Sequence, residues 1–357
     1  MSRRRKDSAK PKISFKYVLL VVGALFILVF SPRLVSMLSG PPDFAGPGTG
    51  TVQIEILNGD SIAKIGNNLK ANGVVQSVDA FTAAAANNPD SSKIAPGFYQ
   101  MLIGMSAKQA IERLLDPASK VVYKVVVPEG KRANDIFTLI STSTGIPLTD
   151  FEAIALNPVD LGLPDYADGN LEGFLFPATY EFPPGTTAAS ALKTMVAKFN
   201  EVATQISLIE LAQGIGRTPY EILTVASIVE VEAHPNDFSK VSQVVYNRLA
   251  EPMRLQFDST VNYGLGLTDV ILTTALLNKD TPYNSYRNDG LPPTPIGNPG
   301  IAAIKAALNP AQGDWIYFIT TNLDTQETKF TSSYAEFLVY KDEFLAYCDL
   351  NPETCFE

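Results

Sequence analysis

Residues 218–235 read TPYEILTVASIVEVEAHP, and the fold of the C-terminal half turns on how they are taken. Thr218, Pro219 and Glu221 occupy the N-cap, first and third helical positions, a capping box with proline where its missing N–H costs nothing. Ile222, Val225, Ala226, Val229 and Ala233 then recur at helical spacing and predict one apolar stripe, with Pro235 helping to end the helix. At roughly 100° per residue, Glu230 and Glu232 fall on opposite borders of that stripe. Periodicity therefore does not choose between them. A carboxyl on such a border can be partly desolvated, which raises its pKa and keeps it protonated near neutrality. General-acid cleavage of a glycosidic bond needs such a group. A solvated helix end accounts for the same two acids.

The next residue of interest, His234, is the single histidine of the chain. It reads as a helix C-terminal residue that meets the dipole rather than as a base. No HExxH pattern surrounds it, and no G-x-S-x-G elbow surrounds any serine, so neither metal hydrolysis nor a serine triad has support. Two cysteines, Cys348 and Cys355, are too few to complete a zinc site with one histidine. Seven positions apart, they leave a disulfide and two free thiols both open. No metal and no cofactor are expected.

Around the central helix lie LEGFLFPATYEF (171–182), RLQFDSTVNYGLG (254–266) and PYNSYRNDGLPPTPIGNPG (282–300). A helix at 300–308 follows, then WIYFIT (315–320) and TKFT (328–331) as a hairpin, then an amphipathic helix from Ser333. Helices dominate and strands are few. The predicted fold class is α+β, with a mostly helical second domain and a small β-hairpin.

The N-terminal half contains a pattern that repeats. VQIEILNGDSIAKIGNNLKANGV (52–74) gives an alternating strand, a turn at Gly59 and a helix carrying Ile62, Ile65 and Leu69. VYKVVVPEGKRANDIFTLISTSTGI (122–146) repeats it with Gly130 in the position of Gly59. Phe81 and Phe151 follow in register, at offsets of 71 residues for the glycines and 70 for the phenylalanines. Between the copies, residues 95–115 read as a strand, an N-cap at Ser106 and a helix. A strand–helix–helix–strand unit of this size resembles the LysM-like modules that bind cell-wall amino sugars.

At 357 residues the chain has room for about two domains. The formal net charge is −9, yet residues 1–16 hold seven basic residues and one acid. The acidic body that remains argues against a nucleic-acid partner. Residues 17–30, YVLLVVGALFILVF, carry no charge, and with SPRLVSML they predict a transmembrane helix over 17–38. Lys16 and Arg33 would snorkel to its two interfaces. The basic head predicts a cytoplasmic N-terminus and a single-pass protein of the cell membrane, with the rest on its outer side.

ASIVEVEA (226–233), VVYNRL (244–249), MRLQFDSTVNYG (253–264) and the 282–300 run, in that order after LEGFLFPATYEF, resemble the bacterial endolytic murein transglycosylase family, the membrane-bound lytic transglycosylase G type. The resemblance extends from about residue 17 to 347. It implies an enzyme that cuts the β-1,4 bond between N-acetylmuramic acid and N-acetylglucosamine inside peptidoglycan strands, leaving 1,6-anhydro ends. The first glutamate of the family's S-I-[IV]-E-x-E pattern is catalytic, which implies Glu230 and not Glu232. Asn247, Gln256, Asp258, Tyr283, Asn284 and Glu172 match family positions and are the implied substrate-binding residues. Peptidoglycan strands are the implied partner, and cooperation with peptidoglycan synthases is implied by family alone. Two histidines frequent in the family are absent here, with Thr328 and Phe337 in their places, which weakens substrate contacts at the hairpin.

The predicted organisation is a cytoplasmic tail (1–16), the span (17–38), a Gly/Pro-rich linker (39–51), a LysM-like region with both copies (52–164), a catalytic domain (165–347) and a tail (348–357). A water-using muramidase, with Asp258 or Glu232 as second acid, is the alternative reaction. A non-catalytic, membrane-anchored wall-binding scaffold is the alternative role.

Overall fold

The computed structural model describes residues 40–268 and 272–355. They form two compact units, divided between Val122 and Tyr123.

In the first unit, strand β1 (Pro47–Ile56) is followed by helices α1 (Ile62–Ala71) and α2 (Val78–Ala86), strand β2 (Gly97–Met105) and helix α3 (Ala107–Leu115). Alternation along β1 buries Ile54 and Ile56 and leaves Gln53 and Glu55 outside. Antiparallel pairing sets Ile54 opposite Tyr99 and Val52 opposite Met101, so both strands turn apolar side chains to one face. Phe81, Leu69 and Ile111 from the helices close the core over it. Each helix is started by a serine whose hydroxyl accepts from a backbone N–H: Ser61, Ser77 and Ser106.

The second unit begins with the same order. Strand β3 (Tyr123–Val126), helices α4 (Ala133–Thr144) and α5 (Leu148–Leu156), and strand β4 (Thr179–Phe182) form a second strand–helix–helix–strand motif. Val125 lies opposite Tyr180, and Phe137 stacks on Phe151 at 5.6 Å. The repeat read in the sequence is thus a repeat of structure. Gly59 and Gly130 both adopt left-handed backbone, φ 82° and 75°, which accounts for the shared glycine. The predicted boundary at 164/165 is displaced, because the strand that closes the second copy lies at 179–182. The second copy therefore folds into the C-terminal unit, where its core includes Leu192, Met195 and Val196 of α6 (Ala188–Gln205).

Beyond α6 come α7 (Leu208–Gly214), α8 (Pro219–Glu232), α9 (Phe238–Ala250), α10 (Asp258–Leu265), α11 (Thr274–Leu277) and α12 (Ile301–Leu308). The hairpin β5 (Tyr317–Asn322) and β6 (Glu327–Thr331) and helix α13 (Tyr334–Leu350) follow. The capping box forms as predicted: Glu221 N–H donates to Thr218 Oγ1 at 3.1 Å, and Thr218 N–H to Glu221 Oε2 at 2.8 Å. The single apolar stripe does not. From Ile222 to Val229 every residue of α8 is buried, so it is the central helix of the unit, packed on α9 and α12. Thr224 and Ser227 tolerate this because their hydroxyls donate to Tyr220 O and Thr224 O, at 2.9 and 2.8 Å. Helix α13 buries only Cys348 of its own residues, so the amphipathic reading is also corrected. Cys348 and Cys355 form a disulfide.

The membrane anchor is corrected as well. No helix among the described residues is long and apolar enough to cross a membrane. The predicted span over 17–38 lies outside the described residues. The single-pass membrane attachment, the cytoplasmic N-terminus and the outward-facing catalytic domain rested on that span and are not carried further.

Candidate active site

Helix α8 ends where Ala233 turns to extended backbone, and this delivers Glu230 and Glu232 to the floor of a cleft of about 830 Å³. The turn after β3 supplies Glu129, Lys131 and Arg132; the start of α10 supplies Gln256, Asp258 and Ser259; Tyr286, Ile296 and Phe318 complete the lining.

The two glutamates differ in their surroundings. Glu230 is half-buried, and its Oε2 accepts one hydrogen bond, from Gly300 N–H at 2.8 Å. Burial raises its pKa above the ordinary carboxylate range; the Gly300 N–H works against this and the nearby negative charge of Glu129 adds to it. Glu232 accepts from Ser259 N–H at 3.2 Å and so serves the N-terminus of α10. Burial raises its pKa too, with Ser259 opposing, Asp258 adding and Arg248 opposing. One acid is a half-open carboxyl at the cleft, the other a strut between helices.

Gln256 and Asp258 line the same cleft as Glu230. Gln256 sits in left-handed backbone, φ 55°, a conformation that costs a residue with a side chain. Asp258 Oδ1 accepts from Tyr286 O–H at 2.6 Å. The other four predicted substrate contacts lie outside the lining. Asn247 donates to Trp315 O at 2.8 Å and to Gly313 O at 3.1 Å, tying α9 to the segment before the hairpin. Asn284 is buried, its amide donating to Leu277 O and Lys279 O and accepting from Tyr286 N–H. Tyr283 shares a hydrogen bond with Thr294 at 3.0 Å.

Glu172 is the centre of a buried network. It accepts from Ala133 N–H at 3.0 Å, Asn298 Nδ2 at 2.8 Å and Tyr263 O–H at 3.0 Å. Burial pushes its pKa up to about 7 despite these donors and the positive charge of Arg132. Asn298 in turn donates to Lys131 O at 2.9 Å, and its Oδ1 accepts from Gly173 and Leu175 N–H at 3.0 and 2.8 Å. Ile296 N–H donates to Ser227 Oγ at 3.0 Å. The GLPPTPIGNPG run is thus fixed to the central helix at one point and to the β3–α4 turn at another. Arg132 lies over the Tyr263 ring at 5.3 Å.

Sequence reasoning missed Glu129, Lys131, Arg132 and Asn298. The signal available was the second repeat copy, where PEGKR stands in place of LNGDS and loses the capping serine. Among the described residues no group of three or more His, Cys, Asp or Glu is arranged to hold a metal ion.

The profile of the YceG-like family matches residues 54–343. An endolytic murein transglycosylase of Bacillus subtilis (strain 168) is 32% identical over 314 residues, covering 83% of this chain and 85% of that protein. An endolytic murein transglycosylase of Streptococcus pneumoniae (strain ATCC BAA-255 / R6) is 29% identical over 309 residues, 75% of this chain and 54% of that protein. A crystal structure of a yceG-like protein from Listeria monocytogenes aligns with a TM-score of 0.53 at 29% identity, covering 81% of this chain and 98% of that one.

Proposed function

This chain belongs to the YceG-like family, and from that premise we propose that it is an endolytic murein transglycosylase with Glu230 as its acid–base group. The substrate is the glycan of peptidoglycan, and the bond cut is the β-1,4 link from N-acetylmuramic acid to N-acetylglucosamine. Glu230 gives its proton to the departing glycosidic oxygen. The resulting carboxylate takes the proton of the muramyl 6-hydroxyl as that oxygen bonds to C1, which leaves a 1,6-anhydro end.

The observation that carries this reading is the Glu230 carboxyl itself. It opens onto a cleft of about 830 Å³, has its pKa raised by burial and keeps one backbone donor to receive the charge it acquires. Glu232 has the same residue type two positions on, but its carboxylate accepts from Ser259 N–H at the start of α10. Asp258 and Gln256 share this lining, and we assign to them the contacts with sugar hydroxyl and acetamido groups.

Glu230→Gln keeps an acceptor for Gly300 and removes the proton. Cleavage of purified glycan should fall by about 10²–10⁴-fold while thermal unfolding stays near that of the parent chain. Mass spectrometry of the sugar ends reads the reaction type. Anhydro ends support the transglycosylase, whereas reducing ends would mean that water attacks, with Asp258 or Glu232 of the same lining as second acid.

A further inference from the structure

Where the first repeat copy has Asn58, exposed on its turn, the second copy has Glu129. That second turn is pinned to the loop preceding α12. Gly130 N–H donates to Asn298 O at 2.8 Å, and Asn298 N–H donates to Lys131 O at 3.0 Å. Gly297 packs so closely that a Cβ there would lie 2.6 Å from Gly130 O. Held in this way, Glu129 lays its carboxylate over Gly300, and a side chain added at Gly300 would collide with it. The N–H of the same Gly300 is the donor to Glu230. Two carboxylates from separate elements therefore converge on one residue at the cleft. Among the described residues Glu129 has neither a hydrogen-bond donor nor an ion-pair partner for its side chain.

Resting on the glycan-cleaving reading above, we propose that Glu129 is the second working acid of the site: it turns its negative charge toward the sugar whose anomeric carbon becomes electron-poor as the bond breaks. Glu129 forms no bond and passes no proton. The C1–O bond to the leaving sugar breaks as the Glu230 proton moves to that oxygen, and the C1–O6 bond forms as the 6-hydroxyl proton returns to Glu230. Between these events the ring carries positive charge, and a fixed anion beside it lowers the barrier. The same charge disfavours ionisation of Glu230 and so helps to keep its proton in place.

Three other charged groups on this lining are engaged elsewhere. Arg132 lies over Tyr263, Glu232 serves Ser259, and Asp258 accepts from Tyr286; Lys131 and Asp135 flank the turn itself. The divergence of the two turns agrees with recruitment: a neutral amide on the turn that closes on itself, an acid on the turn that meets the cleft.

The test uses the full chain on purified glycan, with kcat, KM and the pH profile measured for Glu129→Gln beside Glu230→Gln. For Glu129→Gln we expect kcat to fall by about 10²-fold with little change in KM. The alkaline limb of the kcat profile should move to lower pH, which a merely structural role would not produce. Gly300→Ala, at an extended position that accepts a side chain, should push the Glu129 carboxylate aside and reproduce both effects. Asn58→Asp in the first copy is the matched control and should leave rates unchanged. Parental kcat and an unmoved limb in Glu129→Gln, with Glu230→Gln inactive, overturn the role of Glu129 alone. Parental activity in Glu230→Gln sinks the glycan-cleaving reading itself. If Glu129→Gln fails to fold, Gly300→Ala decides, and parental kcat there overturns the proposal.

Discussion

The two copies of the repeat share strand, turn, two helices and closing strand, yet their turns close by opposite means. In the first, everything is local. Asp60 accepts from Leu57 N–H at 2.9 Å and pairs with Lys64 at 2.7 Å, and Ser61 caps α1 through Lys64 N–H at 3.3 Å. In the second, Pro128 has no N–H to offer, Arg132 cannot cap, and α4 has no cap from its own N-terminal side chain. The orphan N–H of Ala133 is met by Glu172, 39 residues away, and the turn carbonyl of Lys131 by Asn298. Copying a motif preserves its backbone; releasing the turn from self-sufficiency is what lets it become the wall of a cleft.

Removing the distant partner breaks this comparison most severely. Asn298→Ala strands the Gly173 and Leu175 N–H groups in a buried place and removes one of two donors from both Lys131 O and Glu172 Oε1. We expect roughly 3–5 kcal/mol of destabilisation in the second unit, read by calorimetry, with glycan cleavage lost.

Glu172 sharpens it through pH. Its pKa is raised in the folded chain to about 7, so folding favours its protonated form. The stability this contributes is fully present below the unfolded pKa of about 4.3 and is lost as pH rises through about 7. Between about pH 5 and about pH 8 the parent should lose roughly 1–3 kcal/mol more than Glu172→Gln. Equal slopes of melting temperature against pH in the two proteins would show that the network does not hold a proton.

The smallest effect belongs to the first copy. Ser61→Ala should cost about 1 kcal/mol by denaturant titration and leave cleavage of glycan untouched, since that cap serves only its own helix.

Much of this was legible in the sequence where one residue type has one physical use. Thr218, Pro219 and Glu221 announced the central helix, and the left-handed Gly59 and Gly130 with core Phe81 and Phe151 announced the repeat. All-round burial of α8 was not legible, because Thr224 and Ser227 look polar until their hydroxyls are seen to bond within the helix. Glu230, Gln256 and Asp258 do reach one cleft. Family positions imply Asn247, Tyr283, Asn284 and Glu172 as substrate-binding residues; their side chains bond to loops and neighbouring helices off the lining, partners that a sequence does not display. Glu129 was passed over because it lies about 100 residues from the motif helix. Single-sequence periodicity carries no information about which distant turn will arrive there.

The meeting of Gly297 with Gly130 has a mechanical consequence. With only hydrogens between two main chains, that flank behaves as a fixed jaw. A bulky, peptide-bearing polymer entering the trench meets a flank that cannot be pried open.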